Sequence, residues 1–429
     1  MTRPQKFLSV PYGGYLKPTE TWHDEHLTRV GRGTPAGEYL RRFWHPVALS
    51  SELTDTPHRI RILGEDLVAF RDGRNRVGVL ELHCSHRGSS LEYGIVSESG
   101  IRCCYHGWLF DVDGRILEIP SEPPTSTLKD RLFHGAYPAL ELNGIVFAYM
   151  GPPEKRPAFP VYDSYELDGY RHEPALSPVL PCNWLQVREN TMDPVHTSFL
   201  HTIVSGTQFT DEFGVIPELQ WKETPVGMVY IASRRVGDKV WVRILDVMLP
   251  NIHQVPALWE DAKEVRIRTR PIQTVWTVPV DDTATRVFRM VHIDKQNEWG
   301  AQKHAQLRFG QHGGRPYKES QLRPGDYEAF VSQGALPDHS AEHLATSDRG
   351  VVMLRKLLKA GVRAVEEGKD PKGWLEESFS GVIPTYTQDT ILRIPKGTTE
   401  DEDKHLMREV GLQVAEGIYS AGQEAVVSS

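Results

Sequence analysis

Four cysteines in 429 residues (Cys84, Cys103, Cys104 and Cys182) are too few and too sparse for a disulfide framework. No apolar run approaches the roughly 18 residues of a membrane helix, and the longest, near 145–150, is strand-sized. The opening MTRPQKFLSVPYGGYLKP lacks the continuous apolar stretch of a signal peptide, so a cytoplasmic protein with no membrane partner is expected. Positive charge is short as well. Against 57 acidic residues stand 49 lysines and arginines, a net charge of −8. A binder of phosphate backbones shows a basic stripe, so no nucleic-acid partner is expected. A dinucleotide fingerprint is also missing, because GRGTPAG at 31–37 has the wrong glycine spacing and no preceding strand. What is present is ordinary globular material, 39% hydrophobic and 25% charged. At about 150 residues per domain, the length suggests two or three.

The pattern divides accordingly. Residues 1–43 carry Gly/Pro turns and the helix-like TPAGEYLRRFW, a segment expected to pack on the larger domain. From 44 to 155, short alternating runs are split by Asp-Gly at 72–73 and 113–114, which predicts a small all-β domain of hairpins. The proline-rich PPEKRPAFP at 152–160 reads as a linker. Residues 156–429 mix a helix near 183–203, strand-like GMVYIAS, KVWVRIL and RVFRMVHI, and a helix from about Ser347 that stops at Gly368. Thr399 and Glu402 form a capping box for a last helix. Its acidic run 400–403 is expected to be solvated and its tail SAGQEAVVSS loose.

Two constellations carry chemistry. The first is Cys84-Ser-His86 and Cys103-Cys104-Tyr-His106, separated by 16 residues. Two thiolates and two imidazoles on paired loops can hold bridged irons, with cysteines on one and histidines on the other. Gly88 and Gly107 suit tight turns around a bulky group. A structural zinc site is the competing reading, and it prefers C-x2-4-C pairs, which this spacing fits poorly. Spacing alone leaves Cys103 and Cys104 both open, since Cys104 makes a second C-x-H with His106.

The second constellation is Asp193-x2-His196-x4-His201 in NWLQVRENTMDPVHTSFLH. Two histidines and a carboxylate on one face of an octahedral iron leave positions open for dioxygen and substrate. Histidines five apart stand about 140° around an ideal helix, so the helix must end or distort there, as π-type bulges at functional sites do. Asp193-Pro194 also reads plainly as an N-cap followed by proline at the first helical position.

Together these motifs resemble the catalytic α-subunit of the Rieske non-heme iron aromatic-ring-hydroxylating oxygenases, in particular the phthalate dioxygenase-like branch. The likeness runs through LTRVGRGTPAGEYLRRFWHPVALSSEL, CSHRGSSLEYG, CCYHGWLFDVDGRILEIPSEP and AYMGPP to the helix after Ser347, and is weaker at 205–320. Cys104 departs from it, since the family commonly has proline there. The resemblance implies an α+β protein: a small all-β Rieske domain and a larger domain whose antiparallel sheet is covered by helices, of the helix-grip (START-like) kind. It implies Cys84, His86, Cys103 and His106 as ligands of a 2Fe-2S cluster, and His196 and His201 as ligands of mononuclear Fe(II). Asp193 is implied as the carboxylate that links the partner subunit's His106 to His196. RPGDYEAFVSQGALPDHSAEHLATSD matches the branch's pattern for the third iron ligand and selects Asp326, with Asp389 in TYTQDTILR as competitor. His253, His292 and His304 fall outside any ligand spacing and are expected to be structural or exposed.

The implied activity is mono- or cis-dihydroxylation of a small aromatic, carboxylated substrate with O2. NAD(P)H electrons would arrive only through a separate reductase, of flavin plus ferredoxin type, and the implied assembly is a homotrimer or a larger homo-oligomer of trimers. The alternatives are an O- or N-demethylating Rieske monooxygenase and, in a different class, a Rieske electron-transfer protein without oxygenase activity. Against the carrier stand some 270 further residues with a second metal motif. Arg243 in KVWVRIL is a candidate partner for a substrate carboxylate.

Overall fold

The computed structural model describes residues 8, 10–17, 19–204, 208–295 and 313–427, with backbone only for 418–427. Three small antiparallel sheets form from the alternating runs. His58–Ile62, Glu65–Arg71 and Val77–Glu81 make a meander closed by Ala136–Tyr137, and Ile95–Ser97, Gly100–Arg102, Leu109–Phe110 and Ile116–Glu118 make a second. Both Asp-Gly pairs turn hairpins. Asp72 accepts the backbone N–H groups of Arg74 and Arg76 at 3.0 and 2.8 Å, and Asp111 accepts those of Asp113 and Arg115 at 3.0 and 2.8 Å. Side-chain acceptors of this kind replace the ladder bonds a turn cannot make. The two sheets share a core that includes Val68, Phe70, Leu80, Ile101 and Phe110, with Cys84 and Cys103 at its edge.

The third sheet, Trp44–Leu49 with Ile145–Tyr149 and Ala139–Leu142, belongs to a different core. Its Phe147 ring meets Trp276 of the larger domain at 5.5 Å, and both sit in the main apolar cluster. Backbone bonds from Leu63 to Pro279 (3.0 Å) and Gly64 to Val280 (2.9 Å) tie the domains together.

The larger domain is one antiparallel sheet, ordered Tyr170–Leu176, Ala284–Asp294, Gln273–Asp281, Ile252–Val255, Lys239–Met248, Gly227–Val236, Glu218–Glu223. Gln388–Arg393 pairs with the other end of Lys239–Met248. Alternation sorts the faces. Val240, Val242 and Ile244 pack under the last helix, Glu400–Val427, against Met407 and Val410. Arg243 and Leu245 point the other way, toward a cavity. The helix Arg349–Glu366 buries Leu354, Leu358 and Val362. On it lies the N-terminal helix Pro35–Leu40, at Gly361, where an added Cβ would stand 2.5 Å from the Tyr39 ring. Trp184 Nε1 and Asn183 Nδ2 donate to the carbonyls of Leu27 and Thr28, both at 2.9 Å, so the N-terminal segment rests on the larger domain.

The last helix, capped by Thr399 and Glu402 as expected, runs to Val427, the last described residue. One expectation needs correction: the acidic run is not wholly solvated. Asp403 is buried and accepts from Arg235 Nε at 3.1 Å, and this ion pair fastens the helix start to the sheet.

Candidate metal centres

The two Cys–His loops are built alike. Cys84 N donates to Ser89 O at 2.9 Å and Gly88 N to Cys84 O at 2.8 Å; Cys103 N donates to Trp108 O at 2.8 Å and Gly107 N to Cys103 O at 3.1 Å. Gly88 and Gly107 take φ +73° and +75°, which a side chain rarely adopts. These matched turns bring the His86 and His106 rings to 4.5 Å between centroids, with Trp108 stacked on His86 at 4.8 Å. Cys84 and Cys103 are buried, whereas Cys104 is exposed, with Sγ 3.9 Å from Ser89 Oγ. Burial pushes the Cys84 thiol up to about 11; backbone bonds at His86 and Arg87 favour its thiolate, and neighbouring Cys103 opposes it.

These residues fit an iron–sulfur group. His86 Nδ1 is buried with no hydrogen-bond partner, an arrangement costly for a ring nitrogen unless it holds a metal. A single tetrahedral zinc would draw its ligand atoms to about 3.8 Å from one another. Among the described residues only one set of three or more donors is that compact (within 4.8 Å), and it lies elsewhere. The wider Cys–His set suits a two-iron group.

The compact set is His196, His201 and Asp326. Asp326 Oδ1 stands 3.9 Å from His196 Nε2 and 3.2 Å from His201 Nε2. The expected helix near 183–203 breaks into three pieces: Trp184–Asn190, His196–Ser198 and a π-helical turn, Phe199–Val204, that carries His201. Pro194 cannot donate, and Asp193 Oδ1 restarts the chain by accepting from Val195 N at 3.0 Å and His196 N at 3.3 Å. The wide π turn carries His201 round to face His196, with 5.3 Å between ring centroids. Asp326 opens the helix Asp326–Val331, whose first turn is fixed by Glu328 capping Gly325 N (2.9 Å) and pairing with Arg315 (2.7 Å).

The outer ring nitrogens are held. His201 Nδ1 bonds Gln208 Oε1 at 2.9 Å, and His196 Nδ1 meets the Asp193 carbonyl. Each contact leaves Nε2 toward Asp326, the tautomer a metal requires. Burial opposes charging of His201, but Asp326 and Gln208 raise it above its ordinary value; burial holds His196 below, against the pull of Asp326. Asp193 stays partly open to solvent, its Oδ2 3.9 Å from His196 Nδ1. Gln208 belongs to no motif and was invisible in the sequence.

Asp389 lies elsewhere. It is fully buried, accepting from Trp241 Nε1 at 2.7 Å and Arg243 Nη1 at 3.2 Å. Arg243 lines the cavity, but its guanidinium is engaged by Asp389 and by the Ala257 carbonyl at 2.7 Å. His292 is a buried structural residue, bonded to Thr274 and His172 at 2.9 Å each. His253 is half-buried on the cavity wall, and His304 lies outside the described residues. Cys182 is a core thiol that burial raises to about 12.

His196, His201 and Asp326 open onto a cavity of about 940 Å³ between the sheet and these helices, within the usual range for small organic ligands. Its wall is chiefly apolar, with Leu258, Val275, Val287 and Phe330 near the polar Arg289 and Thr277.

Comparison with known proteins gives a consistent picture. Residues 43–129 match the Rieske [2Fe-2S] domain family. The chain is 45% identical over 411 residues to the tert-butanol monooxygenase / tert-amyl alcohol desaturase oxygenase subunit of Aquincola tertiaricarbonis, covering 90% of this chain and 87% of that one. It is 41% identical over 401 residues to the phenoxybenzoate dioxygenase subunit alpha of Ectopseudomonas oleovorans, covering 88% and 93%. In fold it is similar to NdmA of Pseudomonas putida CBB5, solved with caffeine, at TM-score 0.61 and 18% identity, covering 78% of this chain and 94% of that one.

Proposed function

The chain belongs to the Rieske non-heme iron oxygenases, as an oxygenase component, and from that premise we propose that it hydroxylates a small aromatic acid in the cavity beside His196, His201 and Asp326. The cluster ligands in this reading are Cys84, His86, Cys103 and His106, and the mononuclear iron ligands are the compact triad. The observation that carries it is the joint presence of matched Cys–His loops and a 2-His-1-carboxylate set opening on a ligand-sized cavity. When bound, the two centres supply one-electron storage and the use of dioxygen for hydroxylation.

The protein's own part is positional. Gln208 and the Asp193 carbonyl fix the two imidazoles, and the capped start of Asp326–Val331 fixes the carboxylate. Arg243 and Asp389 neutralise one another and stiffen the cavity wall. Asp193, partly solvent-facing beside His196, is read as the bridge to a cluster carried by a neighbouring subunit, which supports a homotrimeric assembly. In this reading electrons reach it from a separate reductase, which the relatives' names as oxygenase subunits support. The proposed location is cytoplasmic; among the described residues no helix is long and apolar enough to cross a membrane.

The aromatic-acid reading draws on the relative named for phenoxybenzoate. A second reading, oxidation of a small tertiary alcohol, is favoured by the 45% identical relative and by the apolar wall. Demethylation would use the same ligands. Turnover of the holoenzyme with a compatible reductase on benzoates, phthalates, methoxybenzoates and tertiary alcohols separates these readings. Ring hydroxylation of an acid supports the first, formaldehyde release indicates demethylation, and oxidation of alcohols alone selects the second.

A further inference from the structure

The donors of the compact set come from two separate stretches of chain, so their geometry depends on how those stretches are joined. His196 and His201 follow the helix Trp184–Asn190, and Asp326 opens the helix Asp326–Val331. One side chain spans the two. Gln186, on the first helix, is buried, and its Oε1 accepts from Asn183 N at 3.0 Å, closing the capping box of its own helix. Its Nε2 donates across the interface to the carbonyls of Phe330 at 3.2 Å and Gly334 at 3.0 Å. One N–H on one side and two carbonyls on the other admit a single orientation of the amide. Phe330 lies in the last turn of Asp326–Val331, where carbonyls lack partners within the helix. Gln186 therefore caps the start of one helix and the end of the other at once.

Other contacts hold each helix in place separately. Arg355, on Arg349–Glu366, binds Glu189 of the first helix at 2.5 and 2.7 Å and Glu342 through two bonds of 2.7 Å. Glu328 and Arg315 hold the first turn of the second. Val187 and Phe330 share an apolar cluster, which draws the helices together but, being non-directional, does not set their rotation. The Gln186 amide is directional and does. Metal–ligand distances hold to about ±0.2 Å, so a small rotation of Asp326–Val331 is enough to carry Asp326 out of reach of the ion shared with the two imidazoles.

We propose that Gln186 is a positioning residue of the mononuclear site: by coupling the two helices it keeps Asp326 in register with His196 and His201 before the metal arrives. The proposal deepens the functional reading and rests on the triad being the mononuclear iron site. Without the tie, the metal-free site spends part of its time with Asp326 out of register, and apparent affinity falls with the competent fraction. Two buried hydrogen bonds correspond to a loss of about 5- to 50-fold.

Metal affinity of the cluster-loaded protein tests this without turnover. Gln186→Met, close to isosteric, is expected to weaken Fe(II) about 5- to 50-fold in anaerobic chelator competition, with the cluster absorbance unchanged. Gln186→Asn, one methylene shorter, is expected to behave likewise and decides the matter if Q186M does not fold. A double-variant cycle with Asp326→Ala separates positioning from a merely structural role. It is read by calorimetric titration with Ni(II), which nitrogen ligands bind more tightly than Fe(II). Because the tie acts through Asp326, Q186M is expected to weaken Ni(II) about 5- to 50-fold beside an intact Asp326 and less than twofold in the D326A background. Fe(II) affinity within twofold of wild type in the folded variant, or an equal Ni(II) loss in both backgrounds, overturns the proposal. Wild-type protein that binds no mononuclear metal removes the functional reading and the proposal together, whereas metal that D326A releases and Q186M leaves untouched removes the proposal alone.

Discussion

Replacing Gln208 by leucine probes the second layer of the mononuclear site. Gln208 Oε1 accepts from His201 Nδ1 at 2.9 Å, and His201 is almost wholly buried. Without a metal, a ring that loses this acceptor can turn or change tautomer. With Nε2 committed to a metal it cannot, so the N–H remains buried without a partner. That costs about 1–3 kcal/mol, charged to the metal-bound form alone. At about 1.4 kcal/mol per factor of ten, iron affinity falls about 5- to 150-fold, in line with the 10–100-fold typical when such partners are lost. Anaerobic competition with an Fe(II) chelator measures the loss, and the unchanged visible spectrum of the cluster serves as the folding control. Gln208→Glu restores an acceptor and is expected to hold iron at least as tightly as wild type. A Q208L protein within twofold of wild type, or a Q208E protein weaker than Q208L, would refute the reasoning.

Asp326→Ala is expected to lose mononuclear iron with the cluster spectrum intact; Asp389→Asn keeps the iron but is expected to lose about 3–5 kcal/mol of stability by denaturant unfolding, because it strands a buried Arg243. Asp193→Asn is expected to bind both metals normally and to slow steady-state oxidation by at least about 10–100-fold, whereas unchanged turnover would remove it from the electron path. Cys103→Ser is expected to abolish the cluster absorbance and Cys104→Ser to leave it, since only Cys103 is buried beside Cys84. His45, fully buried between the Leu40 carbonyl (2.8 Å) and Asn251 (3.2 Å), is held down to about 4 by burial, from 6.5 in the unfolded chain. Between those values the unfolded state binds the extra proton, so this group's contribution to stability falls by about 1.4 kcal/mol per unit as pH drops from 6.5 to 4. His45→Gln is expected to flatten that slope in denaturant titrations.

The two Cys–His loops were legible in the sequence because each candidate pair sits on one tight turn, although spacing alone did not choose between Cys103 and Cys104. The break before His201 was legible too, since five residues do not fit one face of a helix and Pro194 cannot donate. The carboxylate of the compact triad was not readable from spacing. Asp326 reaches His201 through the packing of a helix far along the chain, and only the family resemblance ranked it above Asp389. The register explains Asp389: it lies opposite Arg243 on adjoining strands, which makes an ion pair of both. Gln208 carried no motif. Asp403 was misjudged because its partner Arg235 lies 168 residues away on a strand.

Iron and acid-labile sulfide, determined per chain on anaerobically reconstituted protein, test the two-centre arrangement most directly. The account predicts about three irons and two sulfides, falling to about two and two in D326A with the reduced-cluster resonance unchanged. Well-folded protein that binds one zinc and no sulfide, or that holds two irons both before and after D326A, would contradict it.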